Sequence, residues 1–241
     1  MPRINGNNSS NEGGNNGKSR SVAKGMKGIK LARRLPHKNK TVDATLSTRP
    51  GFFGGSKSGT NITSTGSQTY TVPKGVDTLT ITMYGGGGGG SMATSGRGGS
   101  NNGGGGGGGS RLVINLTEVT PNSVLTFSVG AGGVAASISG NPGANGANTT
   151  FSYNGVDYVA GGGEGHKESG GSTSRDGTGG VADCDSASNC TGTNGNEGGQ
   201  LGVSVTGGAA LGDSAGAGGN GSNNASSQNN TAGGNGKVII S

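Results

Sequence analysis

Two cysteines and two carboxylates crowd into one short stretch, "DCDSASNC", residues 183–190. Paired as a disulfide, Cys184 and Cys190 would close a small loop and stabilise it by roughly 2–3 kcal/mol through lost unfolded-chain entropy. As free thiols they would suit a reducing compartment. The residues alone leave both alternatives open. Asp183 and Asp185 supply oxygen ligands for a metal, but without the spacing of an EF-hand. The two histidines, His37 and His166, lie in different regions, and no Ser/His/Asp set or metal-spaced His/Cys set can be assembled. "EGHKESGG", from Glu164, is the most charged point of the later chain and reads as a solvated loop. Matches to GxGxxG carry no weight among 59 glycines in 241 residues, since no strand–glycine–helix unit accompanies them. The expectation is no enzyme: no catalytic residue, no cofactor and no metal.

A second chemistry is electrostatic. The chain is +6 overall, but residues 1–50 carry eleven Lys and Arg against Glu12 and Asp43. The remainder is faintly acidic, so the net charge describes a basic arm on another kind of body. Lys18, Arg20, Lys24, Lys27, Lys30, Arg33, Arg34, Lys38 and Lys40 hold most of that charge. Such an arm can neutralise nucleic-acid phosphate, lie on an anionic membrane, or thread between the subunits of an assembly. No aromatic residue interleaves with the basic ones between 18 and 40, which argues against base stacking. Val22, Met26 and Ile29 recur at helical spacing, so a short amphipathic helix is expected over 21–35, ended by Pro36. With Leu31 and the adjacent Phe52 and Phe53, these are the apolar residues suited to anchor the arm against partners.

The elements behind these residues are strands and glycine. "SQTYTVPKGVDTLTITMY" supplies two strands about a turn, with Leu79, Ile81 and Met83 on one face. Strands are also expected over 111–119 and 124–133, in a hairpin about Asn154–Gly155 over 148–163, in "QLGVSVTGG" and in the closing "GKVIIS". That makes about seven short strands and no convincing helix after residue 66. Aromatic residues are only 3% and Trp is absent, too little for a large conventional core. Between the strands lie glycine tracts, above all 85–90 and 103–109. A flexible linker would mix Gly with Ser between two self-sufficient domains; here the tracts alternate with strands too short to stand alone. Polyglycine can run as an extended threefold helix without internal hydrogen bonds. Its N–H and C=O groups then need neighbouring threads as partners. The tracts are therefore expected to be structural threads.

"YTVPKGVDTLTITMYGGGGGG", "GGGGGGGSRLVINL", "TPNSVLTFSVGAGG", "TTFSYNGVDYVAGGG" and "GGNGKVII" resemble, in this order, the glycine-rich domain of phage and viral structural proteins. The resemblance covers roughly residues 67–241. It implies polyglycine threads and, in tail fibres and adhesins, contact with a host receptor.

The expected fold is mainly β: short antiparallel strands, sandwich-like, combined with extended polyglycine threads. Residues 1–66 form the basic arm and 67–241 the glycine-rich body. The expected function is that of a non-enzymatic virion structural protein, a minor capsid or spike component anchored among other virion subunits by its arm. Two alternatives remain. One is a host-receptor-binding adhesin whose loops, such as 91–102 and 164–176, contact surface glycan; the other is a nucleic-acid-coating protein. Homo-oligomers fit either. "MPRINGNNSSNEGG" has no apolar stretch and does not read as a secretory signal, and no membrane span is expected. The expected location is the virion, assembled in host cytoplasm.

Overall fold

Strict alternation of apolar and polar residues makes one-sided strands, and in this chain it makes two layers of them. The structure is a computed structural model. It describes residues 59–96, 99–138, 140–166, 177–199, 206–212, 214–222 and 229–241. The arm's basic residues, the expected helix over 21–35 and the anchor residues Val22 to Phe53 lie outside the described residues.

Twelve strands are formed among the described residues. In chain order they are β1 (Thr60–Ile62), β2 (Gly66–Thr71), β3 (Leu79–Tyr84), β4 (Thr94–Gly96), β5 (Gly99–Asn101), β6 (Arg111–Leu116) and β7 (Val124–Val129). There follow β8 (Thr149–Tyr153), β9 (Val156–Ala160), β10 (Ala182–Asp183), β11 (Cys190–Thr193) and β12 (Lys237–Ile240). One sheet has the order β1-β12-β3-β6-β11, the other β10-β9-β8-β7-β2, and β4 with β5 forms a separate hairpin. All pairings are antiparallel.

Every second residue of the central strands enters a shared core. Leu79, Ile81 and Met83 of β3, Leu112, Ile114 and Leu116 of β6, and Val238 and Ile240 of β12 come from the first sheet. Leu125, Phe127 and Val129 of β7, with Phe151, Tyr158 and Ala160, come from the second. The Phe127 and Phe151 rings stack with centroids 4.7 Å apart. This makes a small β-sandwich. Asn154 and Gly155 take φ of 51° and 80°, the left-handed pair that a tight β8–β9 hairpin requires.

The sheets begin earlier than residue 67, because β1 pairs with β12 (Thr60 opposite Ile240). That register has a consequence for placement. The chain enters the sandwich beside its own C-terminal strand end, where Ser241 and Thr80 exchange main-chain hydrogen bonds of 2.9 and 3.0 Å. At the opposite end β3, β7, β9 and β11 do not turn back at once. They run on into glycine.

Candidate functional site

Residues 85–91 leave β3 fully buried, although they are almost devoid of side chains. Their main-chain bonds repeat every third residue. Gly85, Gly88 and Ser91 donate to the carbonyls of Ser110, Gly107 and Gly104. Gly86 and Gly89 donate to Ala147 and Ala144, and Gly87 and Gly90 to Gly234 and Thr231. The carbonyls follow the same rule. Those of Gly86 and Gly89 accept from Gly163 and His166, those of Gly87 and Gly90 from Gly133 and Ala136, and those of Gly88 and Ser91 from Gly219 and Ser222. A period of three belongs to the extended threefold helix, not to a strand or α-helix. The thread thus has six neighbouring segments: three antiparallel ones accept its N–H groups, and three parallel ones donate to its carbonyls.

The second uninterrupted tract, 103–109, is built the same way. Gly103, Gly106 and Gly109 donate to Ser222, Gly219 and Gly216; Gly105 and Gly108 donate to Gly199 and Asn196; Gly107 and Ser110 donate to Glu164 and Gly161. Close approach on every side is what demands glycine at each position. A Cβ built on Gly87 would fall on the Ala217 carbonyl, and one on Gly106 on the Gly88 carbonyl. The surrounding threads keep glycine wherever they face another thread: at every third position in the outermost, as at Gly143 and Gly146 or Gly195 and Gly198, and in closer runs such as Gly161 to Gly163 where neighbours lie on several sides. Residues between them, such as Ala144, Thr178 and Asn196, are exposed.

Asparagine completes the rim. The side-chain carbonyls of Asn145 and Asn148 accept the N–H groups of Gly165 and Gly162, each at 2.9 Å. Asn235 and Asn220 do the same for Gly132 and Gly207 at 2.9 Å. An amide side chain here stands in for the main-chain carbonyl of a missing outer thread. Thr149 ties the lattice to the sandwich, donating to the Tyr84 carbonyl and accepting from the Gly130 N–H.

The threads go out and back. Those at 85–91, 130–136, 161–166, 194–199 and 216–222 run away from the sheets, and those at 103–110, 143–148, 177–181, 206–209 and 229–236 run toward them. Sheets, chain entry, C-terminus and the turn from 206–209 to 216–222 therefore mark one end of this body. The β4–β5 hairpin and the turn between threads 130–136 and 143–148 stand at the other end. A bundle of polyglycine threads continues from a small β-sandwich, and a glycine-rich domain model matches residues 62–241. The chain belongs to the glycine-rich domain family. No curated protein matches it.

Within the glycine-rich domain, the residues singled out for chemistry are scattered. Cys184 and Cys190 are joined by a disulfide. It closes the connection from β10 in one sheet to β11 in the other, and Asn189 in that loop bonds β6 through Asn115 and accepts from the Tyr158 hydroxyl. The bridge is a staple between layers. Asp183 accepts the Asp185 N–H within the same turn. "EGHKESGG" is not a solvated loop from its first residue: Glu164 to His166 form the end of a thread, and the His166 ring is fully buried against Gly104. Lys167 onward lies outside the described residues. The expected loop 91–102 is also shorter than its sequence suggests, because Ser91, Met92 and Ala93 are buried. "QLGVSVTGG" is described only from Thr206, where it is a thread and not a strand. Among the described residues no group of three or more His, Cys, Asp or Glu could hold a metal ion, and no helix is long and apolar enough to cross a membrane. What sequence reasoning missed was the rim. Its signal was present in the Gly-x-x-Gly spacing and in repeats such as "GANGAN".

Proposed function

We propose that this glycine-rich domain is a non-enzymatic virion structural protein, a minor capsid or spike component held among neighbouring subunits by its basic N-terminal arm. The observation that carries the reading is polarity. The described chain starts at the sheet end, where Gly59 and Thr60 lie beside Ile240 and Ser241, while the lattice projects from the opposite end as a body of close-packed backbone. Such a body suits a part that must be stiff and inert more than one that must open around a substrate. Deleting residues 1–50 tests it: the body should stay folded and soluble and no longer enter particles. Unchanged incorporation would overturn the reading.

A second reading has its own observation. The β4–β5 hairpin and the turn after residue 136 stand at the end away from the sheets, where an adhesin would present loops to surface glycan. Substituting residues within 94–101 and 167–176 should then lower adsorption to host cells while leaving incorporation intact.

A further inference from the structure

Each sheet of the sandwich has two edges: β1 and β11 end the first, β10 and β2 the second. The disulfide-closed loop joins β10 to β11, so the chain itself stitches that side of the sandwich. On the other side β1 reaches only three residues. β2 is the long edge. Its six residues pair with β7 along their whole length, and among the described residues no strand lies on the other side.

The free side of β2 can be read from the residue that follows it. Val72 donates to the Ser123 carbonyl at 2.8 Å and accepts the Asn122 N–H at 2.9 Å, so its main chain faces the β7 side. Alternation along the strand turns Tyr70 and Gln68 the same way and points the N–H and C=O groups of Ser67, Thr69 and Thr71 out of the sheet. Such a row is a template for another strand unless charge, Pro or shortness blunts it. From Gly66 to Thr71 there is neither a charged residue nor a Pro.

The strand is complementary to itself. Paired antiparallel about Thr69, it sets Thr69 opposite Thr69 and Ser67 opposite Thr71 on both sides. Those pairs exchange about six main-chain hydrogen bonds. The exposed hydroxyls of 67, 69 and 71 then meet on the outer face, and half-buried Gln68 and Tyr70 meet on the inner one, where Tyr70 packs against the core. No like charges oppose one another. The ends of the strand fix this register. A centre one residue later sets Pro73, which has no N–H to give, opposite Ser67. A centre one residue earlier needs Thr65 opposite Thr71, beyond the bend at Gly66, whose φ is 86°.

We infer that β2 is a dimer interface: a second copy of this chain adds its own β2, antiparallel, across a two-fold axis at Thr69. Two five-stranded sheets thereby become one. The inference uses neither the arm nor the virion reading.

Full-length Thr69→Cys under mild oxidation tests it, because the new cysteine meets its own copy across the axis. Paired Cα atoms there are about 5.5 Å apart, within reach of a disulfide. Thr126→Cys is the control. It is exposed, directly opposite Thr69 on β7, and one strand further from the axis in each copy. A cross-linked dimer is expected for Thr69→Cys at several-fold the control yield. In sedimentation the wild type should be a dimer. Thr69→Lys, which brings two like charges together, should be a monomer with an unchanged circular dichroism spectrum. A monomeric wild type, a dimer that survives Thr69→Lys, or equal cross-linking at 69 and 126 would each overturn the proposal.

Discussion

A methyl group added to Gly87 has nowhere to go. The Ala217 carbonyl occupies the place of its Cβ, and main chain, unlike a flexible side chain, cannot swing aside. Gly106 meets the Gly88 carbonyl in the same way. Gly87→Val or Gly106→Val must therefore push two threads apart and break the bonds between them, including Gly87 to Gly234 at 2.8 Å and Gly106 to Gly219 at 2.9 Å. Overpacking a dense interior costs about 1–3 kcal/mol where side chains can adjust. With only backbone to yield, each substitution should cost at least about 3 kcal/mol, read from the denaturant midpoint of the full chain. Ala144→Ser supplies the contrast. Its side chain is on the exposed face of a rim thread, so its effect should stay within about 0.5 kcal/mol. Equal, small effects at all three sites would show that 85–90 and 103–109 are not packed threads.

The disulfide acts on whole elements, because it spans the β10–β11 crossing between sheets. Both strands are short, two and four residues, and they bury little. Cys184→Ser with Cys190→Ser should lower stability by about 2–3 kcal/mol on the chain-entropy account, with the loss removed when wild type is measured under reducing conditions. Unchanged stability would mean that Asn189 alone secures the loop. Strand legibility followed burial. β3, β6, β7, β8, β9 and β12 place alternate residues in the core, so periodicity finds them, and Asn154–Gly155 marks its hairpin. The short β1, β10 and β11 are mostly polar and edge-bound, held by register more than by an apolar face, and nothing in their composition announces them. Central threads were legible because six neighbours exclude every side chain and leave an unbroken glycine run. Outermost threads such as 143–148 were not, because one-sided contact there leaves glycine at every third place among Asn and Ala. The same one-sidedness hid Glu164–His166, whose charge reads as solvent exposure although alternate residues of the segment pack inward.

At the scale of the molecule the question is what the arm holds on to. Charge and apolar residues alternate along it, and they make opposite demands on a partner. An arm bound to nucleic acid acts through Lys and Arg, so its binding falls steeply with salt and tolerates exchange of one basic residue for the other. An arm anchored among subunits acts through buried apolar area. Phe52 and Phe53 would each contribute roughly 1.5–3 kcal/mol if fully buried against a partner, and ionic strength would scarcely weaken that contribution. They stand only a few residues before Gly59, where the chain meets the sheet end of the sandwich, so a partner that holds them holds the body close. Phe52→Ser with Phe53→Ser should therefore reduce incorporation into particles more than Lys38→Ala with Lys40→Ala, and raising salt should release little wild-type protein. The opposite ranking, with release by nuclease or by salt, would assign the arm to nucleic acid and leave the lattice without an anchor of this kind.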